Sequence, residues 1–514
     1  MNYEGLSREE LIAQNKEQAD RIMLLAFELE KIKRLIFGTR SERFVPNADP
    51  NQQSLFDLPA AEPAKEPEKE DINYQRNKLS KLKPARQALP AHLPRVEVIL
   101  EPDGLTEGMV CIGEEVTETL EYRAAKLWVR RTIRRKYVVA PKETALGTEE
   151  IEAATTQDTP AVLIAPIPER PIDKCIAEAS LLAYVIISKY IDHLPLYRLA
   201  KIFKREQMPI PDSTIGGWVS AIAKLLETLY QAHVSQVLDN HYIQADESTI
   251  PVLDPNTKGK THRGYYWVYH APLTKGVLFQ YCPGRGAVYP FQLLKNYKGY
   301  LQTDGYTAYG VIDKAFDDIL LFACWAHARR KFDEAKKNNE ALATWALTQI
   351  QILYAIERNA KEQNLSHEQR KELRLTESKP ILDKIKVWLD ENRPDGTNSI
   401  TPKSPIGQAI SYTLNLWERL IRYIDYEDVE IDNNLVENLI RSLALGRKNY
   451  LFAGSHDAAQ RAAIFYSLFA TCELNGVNPY DWLVDVLNRI NAHPHKQIAE
   501  LLPAAWKQAQ NPTS

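Results

Sequence analysis

The feature that most constrains how this 514-residue chain can fold is a run of short strand patterns between residues 242 and 310, two of which end in an aspartate. Aromatic and β-branched residues bounded by Gly or Pro predict strands from Tyr242 to Asp246, Tyr265 to His270, Gly276 to Tyr281 and Tyr300 to Thr303, with a helix from Tyr289 to Leu294 before the last. The first strand ends in Ala245-Asp246-Glu247-Ser248 and the last in Gln302-Thr303-Asp304-Gly305-Tyr306. The 58 residues from 246 to 304 suit a three-stranded antiparallel meander, one helix and a fourth strand at ordinary element lengths. An RNase H-like mixed sheet sets those two strands side by side, so the two carboxylates are expected as neighbours.

A third carboxylate, Glu437, lies in Asp432-Asn433-Asn434-Leu435-Val436-Glu437-Asn438-Leu439-Ile440-Arg441, where Leu435 and Leu439 mark a buried helix face and an Asn or Asp precedes as N-cap. Arg441 is four residues on, hence on the face of Glu437. Hard cations such as Mg²⁺ or Mn²⁺ take oxygen ligands and keep several waters. Two such ions on Asp246, Asp304 and Glu437 would activate water or a DNA 3′-OH and stabilise the leaving oxygen of an in-line displacement. A lone strand-end Asp is usually a turn residue and a helical Glu usually a solvated one; the combination carries the reading. Of the competing acids, Glu247 is expected on the opposite sheet face and Asp432 as a cap.

Lys plus Arg number 64 against 67 for Asp plus Glu, so a DNA-binding surface must be local. The five scattered cysteines fit neither a disulfide framework nor a four-ligand zinc site and read as reduced thiols. The amino terminus lacks signal-peptide character and no apolar run is long enough to span a bilayer, so a cytoplasmic protein without a membrane partner is expected. The architecture predicted is multidomain α/β. Residues 1–44 hold a coiled-coil seam (Ile22, Leu25, Leu29, Ile32, Ile36) that either oligomerises or packs on its own core. Residues 45–88 are a Pro- and Glu-rich linker. Residues 89–150 form a small β-rich domain. Its strand from Leu127 to Val139 carries Arg130, Arg131, Arg134, Arg135 and Lys136, interleaved with Trp128 and Tyr137; a phosphate clamp and a solvated strand face weigh equally. Residues 160–235 are helical and resemble a helix-turn-helix, with Ser213 as a cap and Lys201, Lys204 and Arg205 toward phosphate; scaffolding is the other reading. The catalytic core follows over 236–334 and 426–470, interrupted by an all-helical insertion at 335–425, and a helical tail closes the chain at 471–514.

Several longer words of the sequence go further: Leu35 to Glu42, Leu89 to Arg95, Lys189 to Arg198, Cys324 to Arg330, and Asn433 through Glu437 to Gly446-Arg447-Lys448-Asn449-Tyr450-Leu451-Phe452-Ala453-Gly454-Ser455. Over most of its length the chain resembles the transposases of insertion-sequence family sixty-six. That resemblance implies a DDE transposase with Asp246, Asp304 and Glu437 as its catalytic triad, acting on double-stranded transposon ends and target DNA. It implies a support role at the active site for Cys324 and His327. Arg329, Arg330, Arg441, Arg447 and Lys448 are expected as further DNA contacts, and a homo-oligomer and small accessory proteins as partners. The chain departs from the family where a cysteine-rich zinc segment usually precedes Gly113-Glu114-Glu115-Val116: only Cys111 is present, so zinc is not expected. The rival readings are a catalytically silent DNA-binding protein, another RNase H-like nuclease such as a junction resolvase, and a coiled-coil scaffold.

Overall fold

The computed structural model describes residues 89, 91, 93–102, 109–123, 126–139, 162–254, 260–394 and 400–510; the expected coiled coil and linker lie outside them. The first sheet holds β1 (Arg95–Leu100), β2 (Met109–Arg123), β3 (Lys126–Val139) and the short β4 (Leu163–Ile164), with β3 in the middle. Four helices follow: α1 (Ala179–Tyr190), α2 (Leu196–Arg205), α3 (Asp212–Leu225) and α4 (Glu227–Leu238). Helix α3 starts at Asp212 with Pro211 before it, so Ser213 lies inside the first turn and is not the cap the sequence suggested. A proline just before the helix already presets the backbone for entry.

The second sheet holds β5 (Tyr242–Leu253), β6 (Thr261–Ala271), β7 (Gly276–Cys282), β8 (Gly299–Thr303) and β9 (Ile319–Ala323) in the order β7-β6-β5-β8-β9. β5, β6 and β7 form the expected antiparallel meander, while β8 and β9 run parallel to β5. Helices α5 (Val288–Leu294) and α6 (Thr307–Ala315) make the crossovers. After α7 (Trp325–Ala335), the insertion comprises α8 (Glu340–Glu362), α9 (His367–Leu373), α10 (Lys379–Glu391), α11 (Pro405–Asn415) and α12 (Trp417–Ile421), and α13 (Asn434–Tyr450) returns to the sheet. Helices α14 (His456–Leu474), α15 (Pro479–Arg489) and α16 (Pro503–Gln510) finish the described chain.

Residues 88–514 make one compact unit, and its cores show why. One face of β5, β6 and β7 (Ile250, Val252, Tyr266, Val268, Val277, Phe279) shares a core with α1, α3, α13, α14, α15 and Leu120 and Val129 of the first sheet. The opposite face (Ile243, Ala245, Trp267, Tyr269, Leu278) packs on α4 and α6. β7 is an edge strand, and its free N–H groups are taken up by α14: Val277 N donates to Thr471 Oγ1 (3.0 Å) and Phe279 N to Ser467 Oγ (2.8 Å). Capped this way, the edge offers no template for another strand.

In the insertion, Arg374 is fully buried at a single π turn between α9 and α10. All five of its N–H groups have partners: both Glu357 carboxylate oxygens (2.7 and 2.9 Å) and the carbonyls of Tyr423, Tyr426 and Val429 (2.8–2.9 Å). Arg370 binds Glu357 and Glu430 beside it. This buried node fastens the insertion to the segment leading into α13.

Candidate active site

The parallel register of β5 and β8 brings the two aspartates together. The pairs are Tyr242 with Tyr300, Ile243 with Leu301 and Gln244 with Gln302, after which the strands part. Asp246 and Asp304 each lie two residues beyond the last pair, and side chains two apart on a strand share a face. Asp246 therefore sits within β5 and not at a strand end, as the sequence had suggested. The strand runs on through Pro251 because its pairing with β6 continues to Leu253 opposite Thr261, while at the other edge Ala453 stands where β8 has left: Ala453 N donates to Pro251 O and Leu253 N to Ala453 O, both at 2.9 Å. Proline reads as a strand stop, yet it is tolerated at such an edge.

Beneath the aspartates lies a buried polar network that sequence reasoning missed. The Tyr242 hydroxyl donates to Gln302 Oε1 (2.6 Å), Gln244 Nε2 donates to the same oxygen and to Asp432 O (both 2.9 Å), and Gln302 Nε2 donates to Glu430 O (2.7 Å). The signal was present, since Gln244-Ala245-Asp246 and Gln302-Thr303-Asp304 repeat the same Gln-x-Asp word. The network ties both aspartate strands to residues 430–432, immediately before α13 and its Glu437. Tyr306 N donates to Asp304 Oδ1 (2.8 Å), and the Tyr412 hydroxyl of the insertion donates to the Asp304 carbonyl. Gly305 turns the chain at a φ of 84°, where a Cβ would lie 2.5 Å from Leu416 Cδ1, so the turn admits only glycine without displacement.

Cys324 and His327 flank the start of α7 at this same place. Asn433 N donates to the buried Cys324 sulfur (3.4 Å), and His327 Nε2 stands 3.6 Å from Glu437 Oε1. Arg330 holds Glu437 Oε2 at 2.9 Å, whereas Arg329 is exposed. Asp432 accepts from Asn434 N (3.0 Å) and the Tyr354 hydroxyl (2.7 Å), as a capping acid would. Glu247 leaves on the other pleat and pairs with Arg285, whose guanidinium stacks 3.8 Å from the Tyr306 ring centre.

The electrostatics of the site favour a positive charge beside its carboxylates. Burial, then the facing Asp304, push the Asp246 carboxyl up to about 8, with Glu437 contributing. Burial also lowers the His327 imidazole, against the opposing pull of Asp304 and Glu437. Glu437 Oε1 and Glu247 Oε2 are buried without a hydrogen-bond partner. Oxygen-only donors, desolvated and repelling one another, suit a hard divalent cation. Among the described residues, no group of three or more His, Cys, Asp or Glu side chains is close enough to hold an ion as it stands. Arg330 occupies Glu437 in that arrangement.

The expected DNA contacts divide. The cations of β3 are not a bare positive stripe: Arg130 pairs with Glu121, Arg131 with Glu97, Arg134 with Glu115, Arg135 with Glu101 and Glu114, and Lys136 with Glu115. Arg134 is also buried and donates to Ala165 O (2.9 Å). On α2, by contrast, Lys201, Lys204 and Arg205 are exposed beside the half-exposed Tyr197, and none forms an ion pair with a described residue. Along α13, Arg441 and Lys448 are exposed, and Arg447 donates to the Thr249 hydroxyl (3.1 Å) and carbonyl. The five cysteines are all unpaired, with Cys111 exposed on β2. No helix among the described residues is long and apolar enough to cross a membrane.

Comparison with known proteins is consistent along the chain. Residues 174–461 match the family model described as "Transposase IS66 family", residues 467–504 the "IS66 C-terminal element", and residues 24–98 "Transposase C of IS166 homeodomain". Two proteins of Sinorhizobium fredii are similar over nearly their whole length. The uncharacterized protein y4jD is 33% identical over 98% of both chains, and the uncharacterized protein y4qI is 31% identical over 97% of this chain and 91% of its own. No solved structure matches.

Proposed function

This chain belongs to the IS66 transposase family, and from that premise we propose that it cleaves the ends of an insertion sequence and transfers the strands to target DNA at Asp246, Asp304 and Glu437. The observation that carries the reading is the Gln244–Gln302 register, which sets the two aspartates on one face of adjacent parallel strands beside the helix of Glu437. The strand order β7-β6-β5-β8-β9, an antiparallel meander followed by two parallel strands, supports an RNase H-like core.

Asp246, Asp304 and Glu437 would hold two Mg²⁺ or Mn²⁺ ions. When bound, the pair activates the attacking oxygen and stabilises the leaving one in an in-line displacement. The protein's own part is positional. The Gln network fixes the spacing of the aspartate strands, Gly305 and Tyr412 hold the turn after Asp304, and Cys324 anchors the start of α13. Arg330 neutralises Glu437 before DNA arrives; a DNA phosphate competing for Arg330 frees Glu437 to join the aspartates, coupling substrate binding to assembly of the site. Exposed cations on α2 and α13 hold the DNA backbone. A homo-oligomer working with small accessory proteins, in the bacterial cytoplasm and on the nucleoid when bound to DNA, completes the reading.

The test is metal-dependent nicking of DNA carrying the element's own ends. Asp246→Asn, Asp304→Asn and Glu437→Gln should each abolish cleavage and leave end binding largely intact, because each removes a ligand but little DNA contact. Cleavage by Asp304→Asn at the wild-type rate would remove the assignment.

A further inference from the structure

One sequence word singled out above, Lys189 to Arg198, and the last part of another, Gly446 to Ser455, lie apart from the three carboxylates, and they meet around one cavity of about 200 Å³. Its walls come from the end of α1, the segment after α13, β5, β6 and α14. Tyr190, Tyr266, Tyr450 and Tyr466 line it together with two cations, Lys189 and Arg461. Three of the tyrosine hydroxyls are already engaged: Tyr450 and Tyr466 bond to each other (2.8 Å), and Tyr266 donates to Ala459 O (2.9 Å). The rings of Tyr190, Tyr266 and Tyr466 are packed against one another and against Phe465 and Phe279, so the ring surface left to offer is that of the half-buried Tyr450. The Lys189 ammonium lies 5.2 and 5.8 Å from the ring centres of Tyr190 and Tyr450, and neither Lys189 nor Arg461 pairs with a carboxylate among the described residues. Burial pushes Lys189 down to about 8, the mark of an ammonium held in a poorly solvated place without an anion.

We infer that this cavity takes a single base, unstacked from a DNA strand, with its phosphate against Lys189 and Arg461. Size, charge and position each support that ligand. A cavity of roughly 150 Å³ suffices for one benzene ring, and drug-sized pockets begin at about 300 Å³, so the space suits one planar ring, a pyrimidine best. Unpaired cations beside aromatic rings suit an anion joined to an aromatic body. Ile250, on the cavity wall, is on the same face of β5 as Asp246 and four residues further along, about 13 Å at roughly 3.3 Å per residue. Helix α13 runs from Glu437 to Tyr450, with Arg441 and Lys448 exposed between them. A strand leaving the carboxylates along α13 covers about 20 Å from Glu437 to Tyr450, at roughly 1.5 Å per residue, and so reaches the cavity about six nucleotides on, at roughly 3.4 Å per nucleotide.

The inference rests on the reading of the chain as a DNA-processing protein, and the test separates the two. Full-length protein in EDTA, where cleavage cannot intervene, is titrated with an oligothymidine strand and with an abasic strand of equal length. Thymidine should bind at least about five-fold tighter, the low end of what stacking one base contributes. Tyr450→Ala should erase that excess, while Lys189→Met weakens both strands. Independently of any variant's folding, a 5-iodouracil-substituted strand should photocrosslink to wild-type peptides containing Tyr450 or Tyr466. Equal affinity for the two strands, or crosslinks only at other peptides, overturns the cavity assignment even if the protein nicks DNA. Absence of all DNA binding overturns both readings.

Discussion

Replacing Gln302 by Met tests whether the buried amide network sets the geometry of the site. The side chains are similar in size, so the change removes polarity and leaves little void. Gln302 Oε1 accepts the Tyr242 hydroxyl proton and its Nε2 donates to the Glu430 carbonyl; the substitution leaves the proton of the buried Tyr242 hydroxyl without an acceptor and the partly buried Glu430 carbonyl without that donor. Gln244 is spared, because its amide still reaches Asp432 O. Two orphaned groups at about 1–3 kcal/mol each give a cost of about 2–6 kcal/mol. Tyr242→Phe removes the same hydroxyl bond from the other side and also strips Glu430 N of its acceptor. The double variant should then fall short of the sum of the singles by about 1 kcal/mol or more, as expected of residues in one network. In a chain this large the suitable assay is native-state hydrogen exchange, read at the amides of 430–437. Metal-dependent nicking should fall by roughly 10²-fold, because displacing reacting groups by about 1 Å has that effect, while DNA binding holds. Additive costs together with wild-type nicking would show that the network is only structural filling.

Three further outcomes follow from the charges and the amino-terminal seam. Removing Lys201, Lys204 and Arg205 should flatten the dependence of log affinity on log salt by roughly 0.9 per lost phosphate contact, whereas removing the glutamate-paired Arg131 and Arg135 should leave the slope unchanged; equal effects would restore β3 as a phosphate clamp. Burial raises Glu357, but the bonds and charges of Arg374 and Arg370 outweigh it and hold the carboxyl below its ordinary value. Its contribution to stability is therefore present above the unfolded value of about 4.3 and is lost as pH falls through the lower folded value. Acid unfolding followed by fluorescence should accordingly become less steep with pH in Glu357→Gln, and an unaltered profile would contradict this. Deleting residues 1–44 should yield a particle of one chain that binds single DNA ends and fails to pair them, as light scattering would reveal; an unchanged mass per particle would mean that the seam packs within its own chain.

What the sequence disclosed and what it withheld have a common physical reason. Local rules act over a few residues, so the meander, the strand of β3 and the presence of the Glu437 helix were legible from periodicity and from Gly and Pro punctuation, although that helix buries Val436 and Leu443 and leaves Leu435 exposed, contrary to the face the sequence suggested. The end of β5 was not legible, because the strand is carried past Asp246 to Leu253 by its ladder with β6, whose own start at Thr261 lies before the apolar run that reads as strand, and its outer edge is met by Ala453, some two hundred residues away. The pairing of the β3 charges was hidden for a related reason. Its arginines stand out as a block, while the glutamates that neutralise them alternate along β2 or lie on and just after β1, and only the register matches them. Register likewise turns two Gln-x-Asp words into a site. Each glutamine alone is a polar residue at a buried position, which folding disfavours unless it finds partners. Pairing Gln244 with Gln302 gives the Gln244 amide N–H groups and both polar ends of Gln302 their partners and, by the two-residue pleat, sets Asp246 beside Asp304. The polar network and the carboxylate pair are thus one constraint: a slip of one residue in β8 would leave both glutamines unsatisfied and send Asp304 to the opposite face.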